Sequence, residues 1–172
     1  MFRFLGAVFL LAGTTGYSFC FCRDMHERLQ CLHEMKRMYE LLYSQVGYCL
    51  AAFPEACRMV EPYLNAPFSE MLHAVYEEAE RNTGKPFPQI WEEQTAAYFP
   101  RFPLKREDEA LLTELARSLG YADRELQKQA IDERMNTLQG TIQKLETHMA
   151  EREKMVMSFG IMGGLLLVIV LI

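Results

Sequence analysis

The sequence predicts an all-α protein: a bundle of roughly six helices in a cytoplasmic domain, flanked by an N-terminal and a C-terminal transmembrane helix. Three observations predict it. Apolar residues in the middle of the chain recur every three or four positions, and no stretch alternates with period two for long enough to make a sheet. Each end carries a run of 18 residues without a charge. The charge itself is concentrated between those runs. All 23 acidic residues, and every one of the 18 basic residues except Arg3, fall in Arg23–Lys154, a length that suits one compact domain. That middle is acidic and has no basic block, which argues against nucleic acid as a partner and suits a basic protein surface.

The first run, "FLGAVFLLAGTTGYSFCF" (residues 4–21), spans about 27 Å as a helix at about 1.5 Å per residue, enough for a bilayer core. A cleaved signal peptide starts the same way. However, the small-residue cleavage triplet is missing and the bulky Phe19 precedes Cys20. The last run, "MVMSFGIMGGLLLVIVLI" (residues 155–172), is apolar all round, unlike an amphipathic core helix. Ala12 with Gly16 and Gly160 with Gly164 stand one turn apart, a spacing that lets helix backbones approach in lipid, although glycine is common in membrane helices anyway. Arg23, Arg28, Arg152 and Lys154 flank the middle, which places residues 23–154 in the cytoplasm.

From Met25 the steps Leu29, Leu32, Met35, Tyr39, Leu42, Val46 and Cys49 predict one long amphipathic helix continuing out of the first span. "FPEACRMVEPYL" opens a second, with Pro54 in its first turn and Pro62 limiting its length. "PFSEMLHAVYEEAERNTG" repeats Phe68, Leu72, Val75 and Ala79 and stops at Asn82–Gly84. "PQIWEEQTAAYFP" is a short helix between prolines with Trp91 as its core anchor. "KREDEALLTELARSLG" sets Leu111, Leu112, Leu115 and Leu119 on one side and ends at Gly120, a left-handed stop. Asp123 then caps a final helix whose Ile131, Met135, Leu138, Ile142, Leu145 and Met149 run into the second span. The first and last helices are expected to pair as stalks.

The cluster "CFCRDMHERLQCLH" resembles a metal site only in composition. On a continuous helix Cys22, His26 and His33 share a face, whereas Cys20 and Cys31 point away and lie about 16 Å apart along the axis. Ligand atoms about 2.3 Å from one zinc ion cannot come from that arrangement. No metal, cofactor or catalytic residue is assigned. Phosphate loop, G-x-S-x-G, H-E-x-x-H and C-x-x-C patterns are absent. His73 and His148 stand alone on helices. The acidic stretches Glu77, Glu78, Glu80 and Glu107, Asp108, Glu109 read either as solvated faces or as a docking patch for a basic partner. Met35, Met38, Met135 and Met149 read as core or as an adaptable groove.

The order of these pieces resembles the stage III sporulation protein AB family of endospore-forming bacteria. The resemblance runs through "FLGAVFLLAGTTGY", through Val46, Tyr48, Pro54, Glu55 and Ala56, through Trp91, and through "GIMGGLLLVIVLI". Its most specific part is "LGYADRELQ", in which Leu119, Gly120, Asp123 and Gln127 match L-G-x-x-D-x-x-x-Q. Gln45 stands where the family usually has an acid, so that charge is missing here. Physically, Gly120 and Asp123 are a helix stop and a helix start, and Gln127 is placed to bond back to the turn, so the motif reads as structural. The resemblance implies a non-enzymatic mother-cell membrane protein with a domain similar to type II secretion platform domains. Its implied partners are a secretion-type ATPase similar to stage III sporulation protein AA, other membrane components of that complex, the bilayer, and a possible second copy of the chain. Two other readings stay open: a membrane-anchored enzyme using Cys22 and His26, and a small membrane sensor with an acidic helical domain.

Overall fold

The computed structural model describes the backbone of residues 2–49, 51–81, 84–115 and 124–171; within these, side chains are described from residue 23 to 151 except 124, and at 155. Among the described residues there are six α-helices and no strand: α1 Phe2–Gly47, α2 Phe53–Val60, α3 Phe68–Glu80, α4 Phe87–Tyr98, α5 Glu109–Thr113 and α6 Arg124–Leu171. Short 3-10 turns at Glu61–Tyr63, Phe99–Arg101 and Arg106–Asp108 adjust the joins. The chain forms two compact units, Met1–Leu29 with Gln143–Ile172, and Gln30–Ile142. α1 and α6 each run through both without a break.

The Gln30–Ile142 unit is built on the helical stripes. From α1, Leu32, Met35, Met38, Tyr39, Leu42 and Val46 are at most 1% exposed. Burying each of these larger apolar side chains contributes about 1.5–3 kcal/mol. Phe68, Met71, Leu72 and Val75 of α3, Trp91 of α4 and Leu112 of α5 join them, and α6 closes the core with Ile131, Leu138 and Ile142. Met135 and Met149 are half-buried, whereas Met35 and Met38 are core. Aromatic edges lock α2 to α4: Phe53 meets Trp91 edge-on at 6.0 Å and Phe87 at 5.5 Å. Phe68 meets Phe102 at 4.4 Å. Outside the apolar core, Lys36 of α1 donates to Gln139 Oε1 of α6 at 2.7 Å.

Prolines set the boundaries as their chemistry requires. Pro54 and Pro88 sit in the first turns of α2 and α4, where a missing N–H costs nothing. Pro62 ends α2 as a tight 3-10 turn. Gly84 holds φ at +78°, a conformation that favours glycine, in the link from α3 to α4.

Two expectations change. α1 stops at Gly47, so Cys49 lies beyond the apolar stripe and is exposed, as is Tyr48. The helix expected to run to Gly120 is broken at Glu114 and helical again at Leu115, and residues 116–123 lie outside the described ones. Two of its carbonyls take part in tertiary hydrogen bonds. Leu111 O accepts the Tyr39 hydroxyl and Leu112 O accepts the Trp91 indole N–H at 2.8 Å, so buried side chains engage the acceptors of its last turn.

Among the described residues no helix is long and apolar enough to cross a membrane. The two expected spans, residues 4–21 and 155–172, lie outside the described side chains apart from Met155, and with them the pairs Ala12/Gly16 and Gly160/Gly164. Leu119, Gly120 and Asp123 also lie outside the described residues. Gln127 is half-buried near the start of α6 and engaged with a partner.

Candidate docking surface

The first acidic stretch forms the outer end of α3, and its side chains are wired together. His73 and Glu77 are one turn apart on that helix, and His73 Nε2 lies 3.4 Å from Glu77 Oε1. Its other nitrogen, Nδ1, lies 3.1 Å from Oε2 of Glu61, which the 3-10 turn after α2 brings alongside. Glu77 also meets Arg81 at 3.6 Å, and Arg81 donates to Glu78 at 3.1 Å. The Gly84 bend then places Lys85 where its Nζ is 3.8 Å from Glu78 and 2.5 Å from Glu93 of α4. Gln89 adds a donor to Glu93 at 2.8 Å. One chain of charges therefore crosses from the 3-10 turn through α3 to α4. Lys85 and Gln89 hold the Glu93 carboxyl below the usual carboxylate range, and Glu93 raises Lys85 in turn. Glu80 is exposed and has a partner of its own.

The second stretch does not make such a surface. Asp108 is 1% exposed, and its carboxylate accepts the Lys105 backbone N–H at 2.9 Å, closing the turn that starts α5. This is the return bond of a capping box: Asp108, third residue of the 3-10 turn Arg106–Asp108, reaches back to the backbone N–H of its N-cap. Asp108 is thus a structural cap rather than part of an exposed face. Glu109 is half-buried, and only Glu107 is exposed and engaged with a partner.

Of the cysteine and histidine cluster, the side chains of His26, Cys31 and His33 are described. His26 and His33 are exposed, Cys31 is buried, and the side chains of Cys20 and Cys22 lie outside the described residues. Among the described residues no three His, Cys, Asp or Glu side chains come close enough to hold a metal ion. Burial pushes the Cys31 thiol up to about 12, with Asp108 and Glu34 adding to the effect, and burial raises Cys57 as well. Both remain thiols at neutral pH.

Sequence reasoning singled out the carboxylates of α3 but missed Glu61, Lys85 and Glu93, which join them from other elements. It also set His73 aside as isolated. The i, i+4 spacing of His73 and Glu77 was a readable signal; the approach of Glu61 depends on how the 3-10 turn packs.

The family model described as stage III sporulation protein AB matches residues 3–172. The chain belongs to the stage III sporulation protein AB family. Stage III sporulation protein AB of Bacillus subtilis (strain 168) is 25% identical over 171 residues, covering 99% of each chain. A solved structure of stage III sporulation protein AB aligns with 72% of this chain and 97% of its own at a TM-score of 0.66 and 18% identity, a likeness of fold. Within the family's frame Trp91 and Ala56 are core, Gln45 is half-buried in the last turn of α1, and Tyr48 is 81% exposed.

Proposed function

We propose that the chain is a non-enzymatic membrane platform of a sporulation-specific, secretion-like complex linking mother cell and forespore. In this reading the apolar ends anchor it in the mother-cell membrane. The helical unit lies in the cytoplasm and docks a secretion-type ATPase similar to stage III sporulation protein AA. The membrane segments contact channel components of the same complex. The observation that carries the reading is continuity: α1 runs unbroken from Phe2 to Gly47 and α6 from Arg124 to Leu171, so each apolar end is joined to the compact unit by helix rather than by a linker. The charged strip from Glu61 to Glu93 supports docking of a basic surface, in which charge complementarity mainly sets encounter rate and specificity.

Helix breakers test the division of labour. Asp24→Pro and Glu153→Pro interrupt α1 and α6 beside the apolar ends. In the full-length chain in nanodiscs, each variant is expected to keep ATPase binding within about twofold, as distant sites behave independently, and to lose the stable complex with membrane components. Loss of ATPase binding by a variant whose circular dichroism stays helical contradicts the reading.

A further inference from the structure

The position of His73 makes demands that a neutral ring cannot meet. Both ring nitrogens face carboxylate oxygens, Nδ1 toward Glu61 at 3.1 Å and Nε2 toward Glu77 at 3.4 Å. A neutral imidazole carries one N–H, so either tautomer turns a lone pair toward one of these carboxylates; the imidazolium presents an N–H to both. Glu61 comes from the 3-10 turn after α2 and Glu77 from the ring's own helix, and Arg81 lies beyond Glu77 at 3.6 Å. The ring is half-exposed, so protons exchange freely with solvent.

We propose that His73 is a pH-operated charge switch on the docking strip, protonated when it bridges Glu61 and Glu77 and, on losing that proton, freeing Glu61 for a basic protein partner while Arg81 still neighbours Glu77. This rests on the docking role proposed above and adds its regulation. With His73 protonated, the carboxylates of Glu61, Glu77, Glu78 and Glu93 face three cations, His73, Arg81 and Lys85, and the strip carries one net negative charge. Deprotonation doubles that charge and leaves Glu61 without a cationic neighbour in the chain of ion pairs. The two carboxylates raise the histidine above its ordinary value, with the Glu61 hydrogen bond and charge as the leading causes, so the change falls at a higher pH than for a free histidine. A basic partner is therefore held more tightly as pH rises through that point. The reaction is a proton transfer from imidazolium to water or buffer, with no other bond made or broken.

Two measurements on the full-length chain in nanodiscs test this. The first is the titration of His73 by NMR with labelled histidine, assigned by comparison with His73→Gln. The second is the affinity for the secretion-type ATPase from about pH 5.5 to about pH 8.5, for wild type and for His73→Gln, bracketing histidine's ordinary range. The expected result is a His73 titration above its ordinary value and a wild-type affinity about two- to fivefold higher at the alkaline end, the scale of one exposed ion pair, with a flat profile for His73→Gln. A His73 titration at or below 6.5, or the same pH profile in both proteins, overturns the switch. Absence of ATPase binding at every pH overturns the docking role instead, and the NMR titration then decides by itself whether His73 is the proton-holding bridge.

Discussion

Tyr39 and Trp91 each bury an aromatic body and spend their one polar hydrogen on a backbone carbonyl of α5. Removing such a donor leaves a buried acceptor unpaired, which costs about 1–3 kcal/mol. Tyr39→Phe is expected to lower unfolding stability by about that amount in urea titrations with an unchanged slope. Trp91→Phe is expected to cost more, because it also leaves space against Phe53 and Leu112. The thiols divide in the same way by environment. Cys49 is expected to alkylate in native buffer, while Cys31, pushed up to about 12 by burial, and Cys57 react only once the fold is opened by denaturant; mass mapping of labelled peptides distinguishes these. For His73 the sign follows from a folded-state value raised above the unfolded one. Its contribution to stability is complete below pH 6.5 and is lost as pH rises through the raised value, the reverse of an acid-sensitive carboxylate. Its exposure keeps that contribution small.

Between elements, the joins decide the architecture. Gly84 supplies the positive-φ bend from which Lys85 reaches both α3 and α4, and an added Cβ there meets nothing within 4 Å. Gly84→Ala is therefore expected to cost about 1 kcal/mol through backbone strain alone, read as a lower thermal midpoint, and to weaken the salt-dependent part of stability by displacing Lys85. The helices themselves were legible in the sequence because they are strongly periodic: the spacing of Leu32, Met35, Tyr39 and Leu42 was enough to place the core of α1, and prolines marked the starts of α2 and α4. The break at Glu114 was not legible; it coincides with Tyr39 and Trp91 reaching carbonyls 72 and 21 residues away in the chain. The same holds at the surface. The acids of α3 could be read directly, whereas the role of Asp108 as a turn closure and the approach of Glu61 to His73 arise only from folding.

At the scale of the whole molecule, a helical unit with a wired acidic strip continues into both apolar ends through single helices. The central claim is that this unit docks a basic surface of a secretion-type ATPase. Its most direct test is a binding titration of the full-length chain, in nanodiscs, with that ATPase at low and at high salt, alongside the charge-reversed variant Glu77→Lys. The account predicts saturable binding that weakens with salt, as expected when exposed charges are screened over about 10 Å at 0.1 M, and a further loss in Glu77→Lys with the fold retained. Equal affinity at both salt levels and in both proteins, or no binding while the chain is folded and helical, would contradict it.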